Sequence, residues 1–201
     1  MSAEPGTVRP GGRTARVRAA VLRAAGDVLA EHGFDRLDLA DVARRAEVGK
    51  TTVYRRWGSV TGLVADLLDD MAEQSSPREE TGSLLGDLRA NAALVQRTLA
   101  DARQGALFRA VIAAAVCDAR TGEALRRFYA VRVGEWVPCV EQAVERGELG
   151  VGTDAGAVVR AVSAPLYYAL LTTGVAPVAA DGERAARAAY AAAVAGVYGS
   201  E

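Results

Sequence analysis

From about residue 14 to residue 198 the apolar positions of the chain recur at spacings of three and four, the signature of helices with one buried stripe. Val17, Val21, Ala24, Ala25, Val28 and Leu29 form such a stripe and predict a helix over Thr14–His32, closed by Gly33, with Phe34 as a plug just beyond it. Leu39, Val42, Ala43 and Ala46 predict a second, short helix, for which Asp38 is a suitable N-cap. After Glu47-Val48-Gly49 the pattern restarts, and Val53 and Trp57, four apart, give a third helix a narrow inward face. Leu63, Val64, Leu67, Leu68 and Met71 mark a fourth over 60–74, and Ser75 to Ser83 reads as a linker. Beyond it the spacing predicts helices over 84–101, 105–118, 121–146, 154–173 and 181–198. Pro165 removes a hydrogen bond from the fourth of these and is expected to kink it. No alternating strand pattern and no internal repeat is visible. The expected fold is all-α, about nine helices, with a three-helix head over 14–59 and a larger body over 60–201.

The third helix carries the chemistry. With Val53 and Trp57 turned inward, Lys50, Thr51, Thr52, Tyr54, Arg55 and Arg56 point outward. A short exposed helix of that composition suits the DNA major groove, where Lys and Thr reach base edges and Tyr and Arg bind phosphates. Two helices around a tight break then read as a helix-turn-helix. The same spacing also fits an ordinary helical hairpin with a solvated charged face.

Charge distribution bears on that choice. The net charge of −1 conceals an asymmetry: residues 1–60 hold 11 Lys+Arg against 7 Asp+Glu, net +4, and residues 61–201 hold 13 against 18, net −5. A basic head on an acidic body fits phosphate binding by the head alone. Lys50 is the only lysine in the chain. Met1 to Gly12, rich in Gly and Pro, is expected to be disordered, and residues 1–13 to form a basic arm. Arg9, with Arg13, Arg16 and Arg18, suits phosphate or a minor groove, although a solvated tail explains the same residues.

Other chemistry finds little material. His32 is the only histidine and sits at a helix end, where a dipole role suffices. Cys117 and Cys139 fall in separate helices with no CxxC or Cys/His cluster, so both are expected to be buried free thiols, with no metal and no cofactor. Gly49-Lys50-Thr51 ends like a P-loop, but the motif needs a glycine where Arg44 stands and a strand where a helix is predicted. No signal-peptide pattern or run of 18 apolar residues occurs, so a cytoplasmic protein without membrane contact is expected. A helical enzyme would need paired acids, a Cys/His pair or a metal cluster, and none is evident.

The stretch VLRAAGDVLAEHGFDRLDLADVARRAEVGKTTVYRRWGSVTGLV resembles the DNA-binding domain of the TetR family of bacterial regulators. The resemblance rests on Ala24-Ala25, Leu29, Gly33-Phe34, Val42-Ala43, Ala46, Val48, Thr52-Val53-Tyr54, Trp57 and Leu63. It implies DNA contact through Arg44, Gly49, Lys50, Thr51, Thr52, Tyr54, Arg55, Arg56 and Thr61. Four positions depart from the family pattern. Glu47 replaces a turn glycine, Gly49 a serine that opens the third helix, Asp38 a Thr or Ser, and Val60 a phosphate-binding lysine. Asp38 and Val60 weaken the expected backbone contact, which Thr61 and the amides of the fourth helix offset in part.

The body implied by the resemblance binds a small effector and dimerises. RRFYAVRVGEWVPCVEQAVERGELG, followed later by APLYYALLTTG, looks like one common class of such domains. By pattern the ligand candidates are Phe108, Val111, Ile112, Phe128, Tyr129, Trp136, Tyr167, Tyr168 and Leu171, although aromatic stripes at helical spacing equally serve as packed core. The last helix is so rich in alanine that it buries little apolar area alone. Packing of the last two helices against a second copy would resolve this, and a monomer with a weakly held terminal helix is the alternative. The expected function is that of a homodimeric repressor on a pseudo-palindromic double-stranded DNA operator, released by a small-molecule effector. A helical protein-interaction module whose head has lost DNA binding is the competing reading.

Overall fold

A computed structural model describes residues 11–74, 78 and 80–199. Residues 1–10, with Arg9, and linker residues 75–77 and 79 lie outside the described residues. The described chain forms α1 (Gly11–His32), a 3₁₀ turn (Phe34–Arg36), α2 (Leu39–Arg45), α3 (Lys50–Trp57), α4 (Val60–Glu73), α5 (Leu84–Ala100), α6 (Ala102–Cys117), α7 (Ala119–Gly134), α8 (Val137–Glu145), α9 (Ala155–Thr172) and α10 (Ala179–Val194). No strand element occurs among them, and one isolated bridge, Thr153 to Gly199, ties the C-terminal segment to the loop before α9. The fold is all-α.

Short polar side chains start most of the helices. Asp38, Ser59, Ser83, Asp101, Asp118 and Asp154 each accept a backbone N–H from the first turn of the helix that follows. Gly49, which opens α3, has no side chain to do so. Where the hydrophobic spacing predicts one helix over 121–146, the chain forms two. Pro138 lies in the first turn of α8, where its missing N–H costs nothing, and the chain turns at Glu135-Trp136 before it. Pro165, by contrast, sits within α9, which continues through it.

Two cores are built. The first runs from the head into the body: Leu22, Val28, Leu29, Val42, Val53 and Leu63 are continuous with Phe108, Val111, Phe128 and Leu166. The packing of α1 on α6 and of α4 on α7 makes this continuity. The second joins Leu84, Leu88, Trp136, Val140, Val158 and Val162 to Ala186, Ala189 and Ala193 of α10. The alanine-rich helix is therefore already packed within its own chain, against α5 and α9. Small residues allow the close approach: a Cβ on Gly182 would lie 3.4 Å from the Ala92 carbonyl oxygen.

Several expectations change. α1 begins at Gly11, so Arg13, Arg16 and Arg18 are helical rather than part of an arm. Arg18 is moreover turned inward onto Asp66 and Asp70 of α4. Cys139 is buried, but Cys117, the last residue of α6, is exposed. α9 is long and apolar enough to cross a membrane by length and composition. Its buried face nevertheless supplies Val158, Val159, Val162, Leu166 and Leu170 to the two cores.

Candidate nucleic-acid interface and inner cavity

The head turns on one partly buried contact set. Trp57, 7% exposed, donates from Nε1 to Asp66 Oδ2 at 2.8 Å, and Arg18 donates to the same carboxylate at 2.8 Å from Nη2 and reaches Asp70 at 2.5 Å. Asp66 thus fixes α1, α3 and α4 together. Its burial favours the neutral acid, but the Arg18 and Trp57 hydrogen bonds outweigh that and hold the carboxyl below its ordinary range. Packing is equally tight: a Cβ on Gly62 would sit 2.5 Å from the Trp57 carbonyl oxygen.

So anchored, α3 buries Val53 and Trp57. Lys50, Thr51, Tyr54, Arg55 and Arg56 are exposed, and Thr52 is half-buried. No ion pair among the described residues engages Lys50, Arg55 or Arg56, and the Arg56 guanidinium lies 5.2 Å from the centre of the Trp57 ring. Arg13 and Thr14 of α1 line a cleft with Gly49, Thr52, Arg55 and Arg56, which brings a cation from α1 beside the third helix. Arg44 is exposed but tied to Asp41, whose carboxyl is held below its ordinary range chiefly by Arg44. Thr61 is half-buried and its hydroxyl meets that of Ser59 at 3.1 Å, at the start of α4. The turn before α3 carries one unusual residue. Glu47, at φ 55°, is the one non-glycine with positive φ among the described residues, in the position where the resemblance leads one to expect glycine.

The body holds a cavity of about 380 Å³, partly open to solvent, between α4, α5, α6, α7 and α9. Of the residues singled out by sequence, Phe108, Phe128, Tyr129, Trp136 and Tyr167 line it. The aromatic rings meet edge to face or tilted, with centroids 5.2 to 5.9 Å apart. Burial pushes the Tyr129 and Tyr167 hydroxyls up in pKa, so both stay protonated near neutrality. Val111 is packed in the core beside the cavity, and Ile112 faces a second, more apolar groove on the outer side of Tyr129. Tyr168 and Leu171 point away from the cavity into solvent, at 69% and 46% exposure. Sequence reasoning missed the polar lining: Gln74, Asn91, Thr98, Gln104, Arg132 and Ser163, with Met71 of α4. A buried Asn91 amid an apolar stripe was the available signal. Among the described residues no group of three or more His, Cys, Asp or Glu could hold a metal ion.

Helix α4 belongs to both places. Its N-terminal part carries Ser59 and Asp66 in the head, and its C-terminal part carries Met71 and Gln74 to the cavity. On its other side Asp69 meets Arg127 of α7 at 3.7 Å, and the next two residues of α7, Phe128 and Tyr129, face the cavity.

Known proteins share this plan. Residues 21–67 match bacterial regulatory proteins of the tetR family, and residues 78–189 match the tetracyclin repressor-like C-terminal domain. The chain is 31% identical over 156 residues to an uncharacterized HTH-type transcriptional regulator of Bacillus subtilis, YdeS, covering 77% of this chain and 78% of that protein. It is 34% identical over 160 residues to a DNA-binding transcriptional repressor of Mycobacteroides abscessus, covering 78% and 83%. The solved structure of Salmonella enterica GusR superposes with a TM-score of 0.68 at 22% identity, over 90% of this chain and 95% of that one. The chain belongs to the TetR family of bacterial transcriptional regulators.

Proposed function

We propose that this protein is a homodimeric repressor that binds a pseudo-palindromic operator and leaves it when a small molecule fills the inner cavity. The observation that carries this reading is the double duty of α4, which is anchored at Asp66 to the reading head and ends in the cavity wall at Met71 and Gln74. A ligand that prefers one position of α4 shifts the spacing of the two heads, and only such differential binding can switch an equilibrium. Cytoplasmic location follows from DNA binding.

In this reading Lys50, Thr51 and Thr52, at the start of α3, contact base edges. Tyr54, Arg55, Arg56 and Arg44 hold phosphates, and Gly49 and Thr61 offer backbone and hydroxyl groups to the DNA backbone. Arg44 exchanges Asp41 for phosphate on binding. The dimer forms through the outer faces of α9 and α10. Pro165, Tyr168 and Leu171 stand exposed on α9, and Ala188, Ala191 and Val194 on α10. The inner face of α10 is used within the chain, so the second copy covers only this outer one.

Selection of genomic fragments by the purified protein supplies the operator for the test. On that site Lys50→Ala relaxes sequence preference, whereas Arg56→Ala weakens binding to all sequences alike and lowers the salt slope by about 1. Equal loss on every sequence for Lys50→Ala removes the base-contact assignment.

A further inference from the structure

The lining of the inner cavity also limits what can fill it. Among the described residues, no carboxylate lines it, and its one cation, Arg132, is neutralised by Glu135 at 2.7 Å. A cationic ligand finds no countercharge there, and an anionic one must displace Glu135. Several polar groups are already engaged. Thr98 donates to the Leu94 carbonyl at 2.9 Å, Ser163 to the Arg160 carbonyl at 3.2 Å, and Gln74 to Asp70 at 2.7 Å.

One is not. Gln104 Oε1 is buried with no hydrogen-bond partner. A buried acceptor left unpaired carries a desolvation cost that a ligand N–H or O–H removes. Gln104 also stands level with Arg132. The two helices α6 and α7 form an antiparallel hairpin about Asp118, and Gln104 and Arg132 are equally distant from that residue along the chain, as are Phe108 and Phe128. The Phe108 and Phe128 rings do meet, at 5.8 Å, which confirms the register. One helical turn beyond that aromatic pair, the Gln104 acceptor and the Arg132 N–H donors line the same cavity.

We propose that the effector is an uncharged aromatic molecule with a hydrogen-bond donor and an acceptor on one edge, its donor on Gln104 Oε1 and its acceptor on Arg132. This rests on the effector-cavity reading above. The edge chemistry is that of an amide, a lactam or a hydroxy-carbonyl.

Four compounds with one ring system test it by isothermal titration calorimetry on the full chain: 2-naphthamide, 2-naphthoate, 2-methylnaphthalene and 2-naphthylmethylammonium. The amide should bind at least tenfold more tightly than each of the other three, and Gln104→Leu should cut its advantage over 2-methylnaphthalene to below threefold. Tighter binding of the ammonium or the naphthoate, or an advantage unchanged in Gln104→Leu, overturns the proposal while leaving the cavity as an effector site. Absence of binding by all four removes the effector-cavity reading, and this proposal with it. The ranking on the unaltered protein stands even if Gln104→Leu folds poorly.

Discussion

Asp66→Ala removes the single side chain that holds three helices of the head together. In the native protein Asp66 accepts from Trp57 Nε1 at 2.8 Å and from Arg18 Nε and Nη2 at 3.1 and 2.8 Å. Without it the indole N–H of a nearly buried tryptophan has no acceptor, which costs about 1–3 kcal/mol. Arg18 keeps Asp70 at 2.5 Å, and since Arg18 and Asp66 are each about a quarter exposed, loss of their ion pair adds only about 0.5–1 kcal/mol. The expected destabilisation is about 1.5–4 kcal/mol, which for a chain of this size lowers Tm by roughly 3–16 °C. Circular dichroism melts across a pH series provide the assay. Because the folded carboxyl titrates below its unfolded value of about 3.9, the stabilisation is complete above that pH. It disappears as pH falls through the lower, folded value. The gap between native and variant melts should be full at pH 7 and begin to narrow below about pH 4. Asp69→Ala, which removes only an exposed pair with Arg127 at 3.7 Å, is the control and should change stability by less than about 0.5 kcal/mol. A shift no larger than that control, or a gap that persists unchanged to pH 3, refutes the role assigned to Asp66.

Three further outcomes are expected. Glu47→Gly relieves a side chain held at φ 55° and should raise stability by about 0.5–1 kcal/mol in urea titration, the greater freedom of the unfolded glycine offsetting part of the gain. Tyr168→Asp places a charge on the exposed outer face of α9 and should convert a dimer to a monomer in analytical ultracentrifugation without altering the far-ultraviolet spectrum; a dimer that survives places the interface elsewhere. Ellman's reagent at pH 8 should titrate Cys117 alone in the native protein and both thiols in guanidinium, because burial, aided by Asp87, pushes the Cys139 thiol up to about 12.

Much of the fold is written locally, in caps and apolar spacing. Asp38 is legible in the bare sequence as the cap of α2, and Val53 and Trp57 define the inward face of α3 from their spacing alone, whereas Asp101 and Asp118, which the spacing places at the ends of two helices, open the helices that follow. What the sequence does not show is pairing at long range. Arg18 reads as part of a basic arm, since nothing nearby reveals that residue 66, three helices away, supplies its partner. The α7–α8 break hides for a different reason: the apolar periodicity continues across it, and only Pro138 marks it. In the cavity the aromatic residues were legible and the polar ones were not. Tyr167 and Tyr168 are neighbours on one helix with identical side chains, yet one lines the cavity and the other faces solvent. Gln104 and Arg132 look like surface residues until the hairpin of α6 and α7 brings them level. The alanines of α10 led toward a second copy of the chain, but α5 covers one face of them first.

The central claim is that the head of this protein grips DNA through its exposed cations, and salt dependence tests it most directly. Binding to a selected operator fragment, followed by fluorescence anisotropy across a range of salt concentrations, should give a log affinity that falls linearly and steeply with log salt. The slope should be about −0.9 for each phosphate neutralised and shallower when Arg55 and Arg56 are both replaced. A flat dependence, or no fragment bound even at low salt, contradicts the account.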